Sequence, residues 1–311
     1  MSRKTTTSGV TLVELLISVA VGLIVITSAF GLTMSNRKLL AADQERTSVN
    51  QNLRSALDII GADVRVTGER LGSSSVPAIV VRNGNELVLR RSVHDNVMPV
   101  CSGSALYSQY MLISYWKGKE DSRYPDCSTD IARDKKKRVW VNGEPKDEDG
   151  SDGVPDDVYY WQDYRRENGG QVPAYIYSRT RNYGEFFTYK TEGTDSKGIA
   201  IGRDGSWEKP YFMGEQNTIY LLEERRYRVN NDGVLELILN DKESGAQRVV
   251  NDLNKDKFKI TAILEDGTTK DNFGDAKGDD WKKLRAIKVE LESKSKRKLS
   301  SEFFPRNALS R

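Results

Sequence analysis

One apolar segment near the N-terminus constrains this chain more than any other feature. Residues 10–34 read VTLVELLISVAVGLIVITSAFGLTM, with Glu14 as the only charge. About 20 apolar residues are what an α-helix needs to cross a bilayer. The short segment before it carries Arg3 and Lys4, and positive residues mark the cytoplasmic side of a membrane helix. The sequence therefore predicts a single membrane-spanning helix with a cytoplasmic N-terminus and the rest of the chain outside.

Glu14 separates three interpretations of this segment. A charge within a membrane helix costs about 2.5–3.5 kcal/mol at the centre and less near an end, so Glu14 calls for a partner. A cleaved signal peptide fits the positive start, with Thr27-Ser28-Ala29 as a loose cleavage site, but not the acid inside the apolar region. A plain single-span anchor would tolerate Glu14 at the membrane rim. In a filament, the free α-amino group of a neighbouring processed chain could neutralise it.

The residues around Glu14 closely resemble the type IV prepilin motif. Gly9-Val10-Thr11-Leu12-Val13-Glu14-Leu15-Leu16 has the glycine, threonine and glutamate at the family's spacing, with Val10 where phenylalanine is usual. The resemblance implies that prepilin peptidase cleaves between Gly9 and Val10 and methylates the new N-terminus at Val10. It also implies that Glu14 serves assembly, and that the helix contacts other pilins or pseudopilins and the inner-membrane assembly platform.

The helical pattern continues beyond the apolar segment. Five apolar residues recur at spacings of three and four, which is typical of one face of an amphipathic helix: Val49, Leu53, Leu57, Ile60 and Val64. We expect one continuous helix from residue 10 to about Gly61, whose second half docks on a globular head. The predicted parts are a leader (1–9), a membrane or filament-core helix (10–35), an amphipathic helix (36–68) and a head (69–311).

After the helix, the sequence changes to short strands and turns. Two hairpins are predicted, one around Asn83-Gly84-Asn85 and one around Asn231-Asp232-Gly233. Residues 258–264 and 284–291 alternate apolar and polar side chains, as half-buried strands do. These strands favour an antiparallel sheet packed on the amphipathic half of the helix, which is the α+β class. The segment from about 99 to 214 is predicted to be a large irregular insertion of loops and short strands.

The head extends the resemblance. Asp63-Val64-Arg65, and the closing order of hairpin, strand, Asp-Gly turn, strand and Phe303-Phe304-Pro305-Arg306-Asn307, look like minor pilins of the PilW type and the related J-type pseudopilins of type II secretion. The resemblance implies the type IV pilin fold and a non-enzymatic minor pilin, acting in pilus initiation or at the tip and supporting motility, adhesion or DNA uptake. A pseudopilin of the periplasmic pseudopilus and a membrane-tethered binding protein that never polymerises are the alternatives. The chain would await assembly in the bacterial inner membrane and end in a periplasmic or extracellular filament.

Cys101 and Cys127 are the only two cysteines, too few for a zinc ribbon. The predicted topology places both outside the cytoplasm, where oxidation is allowed. A disulfide between them would stabilise the fold by about 3 kcal/mol in the chain-entropy model. This pairing is the preferred interpretation, and two free buried thiols are the alternative.

An acidic loop is the candidate metal site. Residues 147–157 read DEDGSDGVPDD, in which Asp147, Asp149, Asp152 and Asp156 crowd oxygen ligands into a glycine-containing turn, as Ca²⁺ requires. The pattern resembles Asp-Gly calcium loops. It departs from the EF-hand template, because Asp152 stands where glycine belongs and no glutamate occupies position twelve. Calcium binding and a solvated acidic loop are the two interpretations.

Composition argues against other classes of function. The chain has one histidine, His94, and no phosphate-binding glycine loop or nucleophile motif, so no catalytic residue is predicted. Apart from the possible calcium, no cofactor is expected. A formal net charge of +3 does not indicate a nucleic-acid binder. The basic runs at 135–138 and 294–298 could contact DNA phosphates, but solvated faces are the more usual role of such runs.

Overall fold

The computed structural model describes residues 11–72, 74–94, 97–101, 109–115, 127, 137–141, 144–148, 156–194, 198–275 and 279–309. Its longest element is an N-terminal helix of 55 residues, Leu12–Val66 (α1). Two short helices follow, Asp156–Glu167 (α2) and Arg306–Leu309 (α3). The expectation of a long, largely apolar N-terminal helix is confirmed, and α1 ends five residues beyond the predicted boundary at Gly61.

The described residues also form 16 strands. In chain order they are β1 (Ile79–Arg82), β2 (Glu86–Ser92), β3 (Met98–Pro99), β4 (Tyr110–Tyr115), β5 (Lys137–Val141), β6 (Glu144–Glu148), β7 (Val172–Ser178), β8 (Tyr183–Thr194), β9 (Gly198–Arg203), β10 (Asn217–Val229), β11 (Leu235–Leu239), β12 (Gln247–Val250), β13 (Lys259–Leu264), β14 (Thr269–Lys270), β15 (Leu284–Glu292) and β16 (Lys298–Phe303). Together with the helices they establish the α+β class.

The strands pair antiparallel in two main sheets. The large sheet has ten strands, with the path β1-β2-β10-β7-β8-β9-β4. In addition, β3 and β11 pair with β10, and β12 pairs with β11. The smaller sheet has the order β14-β13-β15-β16, and β5 and β6 form a separate hairpin. The 13 residues of β10 make it the central strand, because it pairs with β2, β3, β7 and β11 along its length.

Both predicted hairpins are confirmed. In the first, Arg82 lies opposite Glu86, and the turn between them has positive φ angles of 51° at Asn83 and 64° at Gly84. An Asn-Gly pair suits such a turn, because these residues enter the left-handed region more readily than others. In the second hairpin, Val229 lies opposite Leu235 across a turn that includes Gly233.

The predicted irregular insertion needs a correction. Four strands from the segment 99–214 belong to the large sheet, and one of them, β7, pairs directly with β10 over five residue pairs. Several of its aromatic residues belong to the core, since Trp161 and Tyr189 are 1% and 0% exposed. The segment looked irregular in sequence because its strands are joined by long polar stretches and bury tyrosine and tryptophan instead of a run of aliphatic residues.

Candidate functional site

The first part of α1 is the first candidate site, because its large apolar residues from Leu12 to Leu40 are exposed and have no partner within the described chain. By length and composition α1 could cross a membrane, and none of its most apolar window is buried. Large exposed side chains follow one another along this stretch, among them Ile24, Phe30 and Leu40 with 65%, 65% and 60% of their surface accessible. A surface this apolar requires lipid or other protein around it. The helix is therefore suited to single-pass membrane anchoring.

Hydroxyl side chains within this apolar stretch are satisfied by the helix itself. Ser18 donates to the carbonyl of Glu14 at 2.7 Å, and Ser28 donates to the carbonyl of Ile24 at 2.8 Å. Thr33 donates in the same way to the carbonyl of the residue four positions earlier, at 2.9 Å. Because these hydroxyls find acceptors in their own helix, they add little to the cost of placing it in an apolar environment.

The start of α1 is a reciprocal capping box between Thr11 and Glu14. The backbone N–H of Thr11 donates to Glu14 Oε2 at 2.9 Å, and the backbone N–H of Glu14 donates to Thr11 Oγ1 at 3.3 Å. The Thr11 hydroxyl also donates to Glu14 Oε2, at 3.0 Å. Such a box satisfies donors that a helix start leaves without partners. Glu14 thus has a structural role inside its own chain, while Gly9 and Val10 lie outside the described residues.

The C-terminal turns of α1 meet the large sheet at a buried charge. Asp63 is 7% exposed, and its Oδ1 accepts a hydrogen bond of 2.6 Å from Arg225 Nη1. The Tyr227 hydroxyl donates to Oδ2 of the same carboxylate. Burial raises the pKa of the Tyr227 hydroxyl, and the Asp63 carboxylate raises it further. Burial lowers the pKa of Arg225, but the hydrogen bonds and negative charges of Asp63 and Glu223 together outweigh this and leave it raised.

A second acid extends this network across the sheet. Glu223 accepts hydrogen bonds from Arg225 Nε at 2.8 Å and from Arg91 Nε at 3.2 Å. Burial raises the pKa of Glu223, but its arginine partners more than offset that effect and leave it lowered. In the sequence, Asp63 stands out only as part of the segment Asp63-Val64-Arg65 that resembles minor pilins. The available signal is that this carboxylate directly precedes Val64, which the spacing of apolar residues assigns to the buried face of the helix and which is buried in the structure.

The predicted disulfide is present. Cys101 and Cys127 are bonded, with 5.4 Å between their Cα atoms, and both are buried. Leu112, Tyr115 and Ala200 pack around them, and the Tyr115 hydroxyl donates to the Cys101 carbonyl at 2.6 Å. The bridge therefore ties Cys127 to the edge of the large sheet formed by β4 and β9.

The predicted calcium site lies only partly within the described residues. Asp149 and Asp152 lie outside those residues, while Asp147 belongs to β6 and Asp156 begins α2. Within the described ranges, no group of three or more potential ligands could hold a metal ion. Calcium binding stays a prediction. So does DNA contact by the basic runs, of which 294–298 forms the turn into β16 and 135–136 lies outside the described residues.

No family model matches the sequence, and no curated protein or solved structure matches it at a significant level. The membrane-length helix, its capping box and the antiparallel head are thus the observations on which a functional proposal can be built.

Proposed function

We propose that this protein is a minor pilin, a structural subunit that enters a type IV pilus at its tip or in its initiating complex. The observation that carries the proposal is the exposed apolar length of α1, which begins at the Thr11–Glu14 capping box. A helix of this kind has two suitable environments, the membrane before assembly and a bundle of neighbouring apolar helices afterwards. A type IV pilin fold, with α1 packed on the antiparallel head, belongs to the same proposal.

The geometry of Glu14 supports a role between subunits. The backbone N–H and the hydroxyl of Thr11 both donate to Oε2 of Glu14. Among the described residues, Oε1 receives no hydrogen bond, so one oxygen of a single acid in an apolar stretch has acceptor capacity left. The α-amino group of a second processed chain carries the charge and the N–H donors that this oxygen requires.

The size of the head favours a position at the end of a filament over positions along its length. It spans most of the chain after residue 68, and its core includes two sheets and a disulfide. A head of this size would crowd a thin fibre if it were repeated at every position. One or a few copies at the tip or in an initiating complex avoid this crowding.

Mass spectrometry of the N-terminal peptide, from the chain made in its own cells, tests the processing step. We expect a mature chain that begins at N-methylated Val10. A Gly9→Val chain is the matched reference, because the proposed cut follows Gly9 and this chain should keep Met1. A wild-type chain that begins at Met1, or near Phe30, would contradict the proposal.

A deletion strain tests which filament the chain serves. We expect loss of surface pili, restored by the wild-type gene and not by Gly9→Val. Intact pili with a defect in protein secretion would instead indicate a type II pseudopilin. Intact pili and intact secretion would indicate a tethered protein that does not polymerise.

A further inference from the structure

A cavity of about 570 Å³ lies on the large sheet, on the face opposite α1. Glu224 and Arg226 of β10 line the cavity, whereas Arg225 and Tyr227 of the same strand reach Asp63 of α1. Successive side chains of a strand point to opposite faces of its sheet, which explains this division. The volume lies in the range of about 300–1,000 Å³ that is usual for ligand sites.

Five cationic side chains line this cavity: Arg82, Arg90, Arg203, Arg226 and Lys242. Three of the arginines are largely buried, with 6%, 10% and 12% of the side chain exposed at Arg90, Arg203 and Arg226. Removing a guanidinium from water is costly unless acceptors surround it. Arginine in such a setting is suited to bidentate recognition of carboxylate or phosphate oxygens.

The acceptors of the chain do not fill the hydrogen-bonding capacity of these arginines. Arg203 Nη1 and Arg226 Nε are buried and have no hydrogen-bond partner among the described residues, although Nη2 of Arg226 is paired with Asp241 at 2.9 Å and with Glu243. The carboxylate oxygen Oε1 of Glu185 lies 3.7 Å from Arg203 Nη1, beyond hydrogen-bond length. Buried polar groups without partners are rare, and a missing ligand is one explanation for them.

The guanidinium groups are held in place before any ligand arrives. Arg90 donates to Glu224 at 2.7 Å and to the Pro77 carbonyl at 2.7 Å. The guanidinium carbon of Arg203 lies 4.7 Å from the ring centroid of Trp207. Groups fixed in this way lose little conformational freedom on binding, which favours affinity.

The lining also contains acceptors and an aromatic ring. Asp204, Glu224 and Asp241 contribute carboxylates, each of which pairs with one basic side chain (Lys190, Arg90 and Arg226) and has acceptor capacity beyond that pair. Phe186 is 41% exposed, with the Arg90 guanidinium 4.5 Å from its ring centroid. Carboxylates repel any anionic group, but they accept hydrogen bonds from hydroxyls, which a phosphate chain alone does not supply. The lining therefore matches a ligand that carries both carboxylates and hydroxyls.

We propose that this cavity binds an acidic saccharide, a short stretch of uronic-acid units in which each ring carries one carboxylate and several hydroxyls. The arginines and Lys242 receive the carboxylates, and the lining acids receive the hydroxyls. Phe186 offers an apolar surface to the C–H face of a ring. The site gives the head a ligand of its own, independent of how the chain is assembled.

Isothermal titration of the full mature chain in lipid nanodiscs, with trigalacturonate as the probe, tests the proposal. We expect saturable binding to trigalacturonate and at least tenfold weaker binding to its methyl ester, which has the same rings without the charges. Arg226→Gln and Lys242→Gln should each raise the Kd at least tenfold. Lys298→Gln, at an exposed lysine on the smaller sheet, should leave the Kd unchanged.

Lys242 is the second variant because it is only half-buried, so its loss should not disturb folding if Arg226→Gln does. The proposal is overturned by an absence of binding to trigalacturonate, or by equal binding of the methyl ester. It is also overturned if trithymidylate, a probe with phosphates and few hydroxyls, binds more tightly than trigalacturonate. Equal weakening by Lys298→Gln would mean that binding is only nonspecific charge attraction.

Discussion

Asp63 and Arg225 join the end of α1 to the head across 162 positions of the sequence, through a hydrogen-bonded ion pair of 2.6 Å. The carboxylate belongs to α1 and the guanidinium to β10. Because Asp63 is buried, the pair fixes how the end of α1 lies on the sheet: a rotation of the helix would leave a carboxylate without partners in an apolar setting.

Asp63→Ala should therefore be strongly destabilising. Breaking a buried pair by removing one partner typically costs about 3–5 kcal/mol. The loss should lie toward the lower end of this range, because Arg225 keeps its hydrogen bond to Glu223 and 32% of its side chain is exposed. Tyr227→Phe should cost less, about 1.5–3 kcal/mol, because Asp63 keeps Arg225. Urea unfolding of the full chain, followed by tryptophan fluorescence, measures both. Asp58→Ala, at an exposed acid of the same helix, is the control and should stay within about 0.5 kcal/mol of wild type.

Gly61 should resist substitution although it lies inside a helix. A Cβ at this position would overlap the ring of Phe303, whose Cζ would lie 3.1 Å away. Alanine gains about 1 kcal/mol of helix propensity, but overpacking costs about 1–3 kcal/mol, so Gly61→Ala should be neutral to destabilising. Adding Phe303→Leu should recover part of any loss.

Gly31→Ala is the matched control for that experiment, because nothing lies within 4 Å of a Cβ at Gly31. It should leave the unfolding of the head unchanged. An increase in head stability with Gly61→Ala, of the size that helix propensity alone supplies, would mean that the packing of Phe303 does not restrict this position.

Reduction of the Cys101–Cys127 bridge should lower the free energy of unfolding by about 3 kcal/mol, because the bridge closes a separation of 26 residues in the unfolded chain. Urea unfolding with and without dithiothreitol measures the loss. The double variant Cys101→Ala/Cys127→Ala should unfold near the reduced wild type and be insensitive to the reductant. Equal unfolding of oxidised and reduced wild type would exclude a stabilising role for the bridge.

Acid should destabilise the contact between α2 and β8. Glu192 accepts hydrogen bonds from Arg165 Nη2 at 2.7 Å and Nε at 2.9 Å. Burial raises the pKa of Glu192, but the hydrogen bonds from Arg165 and Tyr189 outweigh it and leave the pKa lowered. As the pH falls, the Glu192 carboxylate is therefore protonated at a higher pH in the unfolded chain than in the folded chain. The stability due to Glu192 is therefore present above the unfolded pKa and is lost as the pH falls through the lower folded pKa.

Urea unfolding of wild type and Glu192→Gln between pH 7 and pH 3 measures this effect. The variant should lose about 1.5–3 kcal/mol at pH 7, as expected for a hydrogen bond to a charged group. The difference in free energy of unfolding between wild type and Glu192→Gln should become smaller below about pH 4, where glutamate begins to protonate. Glu302→Gln, at an exposed position of the smaller sheet, should show no such convergence. A gap that stays constant over the whole range would rule out the ionisation of Glu192 as its cause.

Local patterns in the sequence predicted the parts of the fold that depend on near neighbours. The spacing from Val49 to Val64 predicted the second half of α1, and the Asn-Gly and Asp-Gly turns predicted two hairpins, because helix faces and tight turns depend on residues a few positions apart. The pairing of β7 with β10 could not be predicted in this way. Its partners, such as Ile176 and Ile219, are separated by 43 positions, and strand alternation does not specify which strand lies beside which.

The same distinction between near and distant residues applies to the candidate sites. Glu14 and Thr11 are three residues apart, so a capping box could be recognised from the sequence. The cavity arginines come from four different strands, and each alone looks like an ordinary polar residue on a half-exposed strand. Only the order of the strands in the sheet places Arg90 beside Glu224 and its guanidinium next to the ring of Phe186.

The two roles of Glu14, in its own helix and between subunits, can be separated by a pair of substitutions. Glutamine serves in a capping box as glutamate does, so Glu14→Gln keeps the helix start and removes the charge. Thr11→Val keeps the charge and removes the hydroxyl that makes two of the hydrogen bonds, at a cost of about 1 kcal/mol. Quantitative immunoblotting of sheared pili and of the inner membrane measures how each variant is distributed.

If charge pairing drives assembly, Glu14→Gln should be absent from sheared pili and Thr11→Val reduced by no more than about fivefold, the factor that 1 kcal/mol supplies. Both should remain in the inner membrane, because neither shortens the apolar stretch that anchors the helix. Equal losses in the two variants would show that Glu14 acts through its cap. Normal incorporation of Glu14→Gln would show that no charged partner is needed, and the intersubunit role of Glu14 would have to be abandoned.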